Sequence, residues 1–320
     1  MNVPLGEGAE FDRIRTIADA LGADARNLGD DCAVLRISDT SVVVSTDASV
    51  EHVHFERNWL DLEEIGYRAT AAALSDLAGQ AAAARGVLVA VAAPESSSAD
   101  DLASVMRGAG AAARASGTQV LGGDLSRGGE WMLCATVIGV ADCPVARRGA
   151  TAGDGVWVTG ALGGARAALE AFRAGRAPDA AARQRFAAPS PRIAAGQWLA
   201  AHGAHAMLDL SDGIASDAGH LAAASGVEVE IVLEELPVHP SAVEAALDAR
   251  GEPVIFAAKG GEDYELLVAM PSSFGMESAA AFERAMDLTL SRIGSCHHGH
   301  GVRLLFRGSR LTLKGFNHFS

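Results

Sequence analysis

Cysteine is scarce in this chain. Cys32, Cys134, Cys143 and Cys296 are four among 320 residues, with no C-x-x-C pair and no regular spacing, which argues against a zinc cluster or a disulfide framework. Basic blocks are missing as well. The 26 lysines and arginines are scattered among 40 acids, for a net charge of −14, so nucleic acid and anionic membranes are not expected partners, because both need clustered positive charge. An anionic substrate must then be reached through metal ions or a few placed arginines. No apolar run approaches the roughly 20 residues needed to span a bilayer. The opening MNVPLGEGAEFDRIRTIADAL carries early acids rather than the basic-then-apolar pattern of a signal peptide, so a cytoplasmic location is expected. Aromatic residues make up only 5% against 49% hydrophobic, which implies a core of Ala, Val and Leu and closely packed Ala-rich helices. A G-x-x-x-x-G-K-[ST] phosphate loop is absent.

What is present is an alternation of helical and extended patterns in a length that suggests two domains, at about 150 residues each. Apolar spacing predicts helices over 11–21, 62–84 and 101–116, and strands over 32–37, 42–45, 87–91 and 131–140. The composition of 141–154 (ADCPVARRGATAGD) reads as a linker, separating an N-terminal domain over 1–142 from a C-terminal one over 150–320. The second half begins with a strand at 156–159, a glycine turn at 160–164 and an Ala-rich helix, and further strands are expected at 227–231, 264–268 and 302–306. Both halves read as α/β. The glycine turn has the order of a phosphate-binding strand–loop–helix, but without the phosphate-loop motif it reads as punctuation.

Aspartates recur at the ends of short apolar runs: Gly29-Asp30-Asp31, Ser45-Thr46-Asp47, Leu74-Ser75-Asp76, Gly122-Gly123-Asp124 and Asp209-Leu210-Ser211-Asp212. Any one of them alone reads as a turn or helix cap. Together they suggest converging carboxylates, which repel by roughly 4 kcal/mol per pair at about 4 Å unless a cation lies between them. Mg²⁺, a hard ion held by a few carboxylates and substrate phosphates, is the simplest such cation. Ser45, Thr46 and Asp47 offer three oxygens in a row from one strand. Asp76 is the most telling, because it lies inside an Ala/Leu helix where a carboxylate is costly unless paired or metal-bound. Gly260-Gly261-Glu262-Asp263-Tyr264-Glu265 adds three more acids behind two glycines, whereas the His297-His298-Gly299-His300 run lacks spaced acids and reads as a solvated loop.

The segments NLGDDCAVL (27–35), VSTDASVEHVHF (44–55), ALSDLAGQAA (73–82), LGGDLSRG (121–128), PSPRI (189–193), LDLSDGIASDAGHLAAASG (208–226), GGEDYELLV (260–268) and KGFNHF (314–319) resemble, in order and over nearly the whole chain, the thiamine-monophosphate kinase family. That family belongs to the superfamily of aminoimidazole ribonucleotide synthetase. The resemblance implies a two-domain fold, with an N-terminal mixed-sheet domain for ATP, metal and dimerisation and a C-terminal α/β domain completing the substrate site. It implies ATP-dependent phosphorylation of thiamine monophosphate to thiamine diphosphate by direct in-line transfer with several Mg²⁺ ions, in a homodimer. By motif match, Asp30, Ser45, Thr46, Asp47, Asp76, Asp124, Asp209 and Asp212 are the implied metal ligands. Gly123, Asp124, Arg147 and Ser211 are implied for ATP, with Arg148 beside Arg147 as an alternative, and His54, Glu262 and Phe316 for thiamine monophosphate. Leu125-Ser126, Ala73 and His52 depart from the family pattern without removing a carboxylate.

Two other functions stay open on the residues alone. One is another ATP-using member of the superfamily, such as the cyclo-ligase of purine synthesis. The other is a nucleotide-binding regulatory protein without turnover, against which the retention of Asp30, Asp47, Asp76 and Asp124 argues. The apolar run 131–140 is the expected dimer contact, unless it is a core strand of one subunit.

Overall fold

Two mixed β-sheets, each with its own helices, account for the computed structural model, which describes Pro4, residues 9–24 and residues 28–313. In the first half the elements are α1 (Ala9–Leu21), β1 (Ala33–Ile37), β2 (Thr40–Val50), α2 (Leu62–Gly79), β3 (Ala83–Ala93), α3 (Ala99–Ala115), β4 (Val120–Arg127) and β5 (Met132–Ala141). Their strands form one five-stranded sheet of order β1-β2-β5-β3-β4, in which only β3 and β4, joined through α3, run parallel. The second half contains β6 (Gly155–Thr159), α4 (Gly164–Arg173), α5 (Ala180–Ala187), α6 (Ile193–Ala201), β7 (Ala206–Asp209), α7 (Ile214–Ser225), β8 (Glu228–Val232), α8 (Pro240–Asp248), α9 (Pro253–Ala258), β9 (Leu266–Met270), α10 (Met276–Met286), β10 (Leu290–His297), β11 (Gly301–Phe306) and β12 (Ser309–Leu311). These strands make a seven-stranded sheet of order β12-β11-β8-β10-β6-β9-β7. The expected α/β architecture is therefore present in both halves. Among the described residues no helix is long and apolar enough to cross a membrane.

Helix α2 is the pivot of the molecule. Asp61 caps it, accepting from the Glu64 amide while the Glu64 carboxylate accepts from the Asp61 amide, a reciprocal arrangement that satisfies two otherwise orphaned donors. Most of its residues are buried, as expected of a helix enclosed on all sides. It packs on the first sheet and α3, and also reaches α6 and β7 of the second half. The approach to α3 is close enough that a Cβ at Gly66 would stand 1.9 Å from the Val105 carbonyl, and one at Gly108 only 1.8 Å from that of Glu63. The expected helix over 62–84 ends earlier, at Gly79, because Ala81 adopts a left-handed φ of 55° and the chain then enters β3.

Strand alternation divides the first sheet into two faces. Leu133, Ala135 and Val137 of β5 are buried beneath α2 and α3, while Met132, Cys134, Thr136 and Ile138 lie on the opposite face. That second face has no helix over it among the described residues. Its apolar side chains remain exposed, Leu35 at 54%, Ile37 at 58%, Leu88 at 37% and Met132 at 40%.

Candidate active site

A cavity of about 780 Å³ lies where the halves meet, and three carboxylates line its floor. Asp31 comes from the loop before β1, Asp76 from the last turn of α2 and Asp209 from the end of β7. One carboxylate oxygen of each lies within 4.8 Å of the others. Burial, opposed in both cases by Arg147, pushes Asp31 up to about 7 and Asp209 up to about 6. Burial, Asp209 and Asp31 hold Asp76 well above the ordinary carboxylate range. The lack of a side chain at Gly79 is what allows this approach, since a Cβ there would lie 3.2 Å from Asp31 Oδ2 and 3.1 Å from the Asp209 amide nitrogen. Asp31 Oδ2 and Asp209 Oδ2 are both buried and accept no hydrogen bond. Buried oxygen acceptors left empty are costly, and the donor set is the kind that a hard divalent cation requires.

Strand β2 forms the adjacent wall, but it does not present three successive ligand side chains. Ser45 Oγ lies 2.5 Å from Asp76 Oδ2 and 3.1 Å from the Asp31 carbonyl, and Asp47 also lines the cavity. Thr46 stands between them on the opposite pleat, where its hydroxyl lies 2.8 Å from that of Thr136. The period of two in a strand turns every other side chain away, so the three residues all line the cavity but do not offer three consecutive side-chain oxygens to it.

The adjacent acids Asp30 and Asp31 also part company. Asp30 lines the cavity, but its Oδ1 accepts from Gln80 Nε2 at 2.8 Å and from the Arg147 amide at 3.1 Å. The oxygen that meets Asp76 and Asp209 belongs to Asp31, not to the expected Asp30. Arg147, expected at ATP, donates from Nε to Asp31 Oδ1 at 2.6 Å and pairs with the same oxygen through Nη2. Arg148 does not line this cavity.

Gly123 and Asp124 lie elsewhere in the subunit. Pairing runs from Asp47 to Ala135, from Ala135 to Val89 and from Val89 to Gly123, so three strand spacings of about 4.8 Å separate Gly123 from Asp47. Neither Gly123 nor Asp124 lines the cavity, and both are exposed. Phe316 and the closing segment 314–319 fall outside the described residues.

The turn from β7 to α7 supplies Ser211 and Asp212 to the cavity, with Asp217 and His220 behind them. Asp217 accepts from the amides of Asp212 and Gly213 at 3.2 and 3.1 Å, which shapes the turn carrying Asp212. Asp212, Asp217 and His220 form a second group able to surround a cation. Burial and Arg147 lower His220 to about 3, so its ring is neutral. His54 also lines the cavity, and its Nδ1 accepts from the Val50 amide at 3.1 Å.

The acids of 262–265 have three different fates. Glu262, with a left-handed φ of 64°, reaches the cavity and pairs with Arg68 of α2. Asp263 is turned inward, where both its oxygens lie 2.9 Å from the Gly163 amide. That contact occupies an N–H of the glycine turn and agrees with its reading as punctuation. Glu265 is fully buried between Arg185, Arg192 and the Thr159 hydroxyl. Arg68, Asp217 and His220 were missed by the motif reasoning. Arg68 had a legible signal, the single basic residue within the apolar helix that also carries Asp76.

Residues 29–141 match the family model of the AIR synthase related protein N-terminal domain, and residues 151–289 match that of its C-terminal domain. The chain is 34% identical over 266 residues to the thiamine-monophosphate kinase of Mycobacterium tuberculosis, covering 82% of this chain and 80% of the relative. It is 30% identical over 319 residues to the thiamine-monophosphate kinase of Aquifex aeolicus, covering 98% and 99%. Among solved structures, AaThiL complexed with AMPPCP and TMP superposes with a TM-score of 0.88 at 29% identity, covering 97% of both chains.

Proposed function

We propose, for a chain that belongs to the AIR synthase related family and within it to the thiamine-monophosphate kinases, a division of labour within the cavity between the two halves. The activity is ATP-dependent phosphorylation of thiamine monophosphate to thiamine diphosphate. The observation that carries its assignment to this cavity is the Asp31, Asp76 and Asp209 group with two buried, empty carboxylate oxygens, in a space of about 780 Å³.

These acids, with Ser45, Asp47 and Asp212 around them, fit Mg²⁺ by donor type and by unmet acceptor capacity. When bound, Mg²⁺ supplies the positive charge that lets two phosphate groups approach one another and stabilises charge on the transferring group. Arg147 steadies Asp31 and lies on the nucleotide side with Ser211. His54, Glu262 and Phe316 serve the thiamine side. An oxygen of the thiamine phosphate forms a bond to the γ-phosphorus of ATP as the bond from that phosphorus to the β–γ bridging oxygen breaks, and ADP leaves with the electron pair. No protein nucleophile is required. Cys32, the cysteine beside the cluster, has its thiol held well above the ordinary range by burial and by Asp76, so it is not a reactive thiolate.

The exposed apolar face of the first sheet supports a homodimer formed face to face. It also accounts for an Asp124 remote from the cluster of its own subunit, because β4 lies in that same sheet. The domain boundary falls within 142–150, and the location is cytoplasmic. Steady-state ADP release with and without thiamine monophosphate tests the activity, with thiamine diphosphate as the product. Labelling of the protein by γ-labelled ATP alone, in a form that chases to product, would refute direct transfer. Sedimentation at micromolar concentration tests the dimer, and an Ile138→Arg variant should sediment as a monomer.

A further inference from the structure

We propose that Arg68 is a positioning residue for substrate recognition, a clamp from the first domain that holds Glu262 of the second in its binding orientation. The inference rests on the reading of Glu262 as a thiamine-side group and names what makes that group effective.

The clamp is built with little freedom. Arg68 is only 3% exposed, and a guanidinium so enclosed must have its donors engaged. Nη1 donates to the Phe186 carbonyl at 2.5 Å, Nη2 pairs with Glu262 Oε1, and the guanidinium lies 4.0 Å from the centre of the Phe186 ring. Ring, carbonyl and carboxylate together fix the plane of the fork. Glu262 keeps 26% of its side-chain exposure and lines the cavity, while only one of its oxygens is taken by Arg68. Its backbone is in the left-handed region, as is that of Tyr264 at a φ of 50°. This loop is not one that a glutamate would choose, and tertiary contacts must hold it.

Location gives the clamp its purpose. Arg68, Ala72 and Asp76 recur every four residues, so they share one stripe of α2, and Ala72 and Asp76 line the cavity. Eight residues at 1.5 Å rise place Arg68 about 12 Å along the helix from Asp76. A substrate with its phosphate at the acidic floor therefore has its cationic ring system within reach of the Glu262 end. A single rigid helix thus sets the distance between the reacting phosphate and the group that recognises the ring.

A charge effect and a positioning effect predict opposite signs. As a bare positive charge Arg68 would weaken binding of a cation, and its removal would tighten binding. As a clamp, its removal frees Glu262 and weakens binding. The experiment is steady-state kinetics with each substrate varied in turn, on Arg68→Met, Arg68→Lys, Glu262→Gln and the Arg68→Met/Glu262→Gln double variant, with thermal denaturation of each. Arg68→Met should raise KM for thiamine monophosphate about tenfold while leaving kcat and KM for ATP within about twofold. Arg68→Lys should fall between it and the parent, since an ammonium supplies charge without the fork. The double variant should be no worse than Glu262→Gln alone. If Arg68→Met does not fold, the Arg68→Lys split between the two KM values decides the matter. An unchanged or lowered KM for thiamine monophosphate in the Arg68 variants, beside a raised one in Glu262→Gln, would overturn the clamp alone. An unchanged KM in Glu262→Gln would overturn the reading of Glu262 and the clamp with it. Equal changes in kcat, both KM values and melting temperature for the Met and Lys variants would reduce Arg68 to a structural residue.

Discussion

Two groups of enclosed acids in this molecule are treated differently. Glu265 has no exposed side-chain surface, yet two guanidiniums and a hydroxyl surround it. Asp263, beside it, has both oxygens on a backbone amide. Asp31, Asp76 and Asp209 line the cavity and share a single guanidinium, that of Arg147, which engages one oxygen of Asp31 and leaves the other, buried one empty. Burial of a carboxylate is therefore not the functional sign. The sign is acceptor capacity that the protein builds at a cost and does not fill.

The comparison is most exposed to failure at Asp76. Asp76→Asn should lower turnover by at least about a thousandfold, the scale expected when charge stabilisation of a transferring phosphoryl group is lost. It should also abolish the thermal stabilisation of the parent by Mg²⁺, about 2.7 kcal/mol at a hundredfold excess over the dissociation constant. Metal-free stability should be kept or improved, because a buried repulsive charge is removed. A variant with near-normal turnover would end the distinction between the two groups.

Glu265→Gln should do the reverse. It removes the buried charge that two partly buried guanidiniums share and should cost about 3–5 kcal/mol of stability, read by denaturant unfolding. Molecules that remain folded should still be stabilised by Mg²⁺. Loss of turnover without loss of stability would move Glu265 into the functional group.

Asp263 sharpens the comparison through pH. Burial, opposed by Arg185, raises its carboxyl from an ordinary 3.8 to about 7. The unfolded chain therefore releases this proton near pH 4 while the folded one keeps it. Stability associated with this group is fully present below pH 4 and is lost as pH rises towards 7, at up to about 1.4 kcal/mol per pH unit. Asp263→Asn should flatten that part of a stability-against-pH curve whether or not Mg²⁺ is present, whereas a slope that vanished on adding Mg²⁺ would place Asp263 with the cavity acids.

The smallest effect is expected at Thr46. Thr46→Val should cost about 1 kcal/mol of stability for the lost Thr136 contact and leave turnover close to that of the parent. Ser45→Ala should lower turnover clearly, since its hydroxyl touches Asp76. Equal losses in the two variants would mean that the pleat does not separate their roles.

Much of the site was legible because its residues break local rules. A carboxylate in an Ala/Leu helix marks Asp76, and an acid ending an apolar strand marks Asp47. The same reasoning applied to Arg68 would have found the clamp, as it is the other charge enclosed in that helix. That the Thr46 hydroxyl points away from Asp47 follows from the strand's period of two, which is itself a property of the sequence. The choice between Asp30 and Asp31 was not legible, because a turn of adjacent acids carries no periodicity. Their difference is made by Gln80 and the Arg147 amide, which come from distant parts of the chain.

The sequence by itself determined the α/β pattern, the apolar helix that carries Asp76, the acids at strand ends and the scatter of lysine and arginine without a basic block. These follow from local periodicity and composition, which act over a few residues at a time. Only the tertiary structure decided which oxygens meet, that Asp124 stands three strands from Asp47, that Glu265 is satisfied and that Asp209 is not. Those outcomes depend on sheet order and on helix approach distances, such as that permitted by Gly79, where contacts between residues more than a hundred positions apart are formed or withheld.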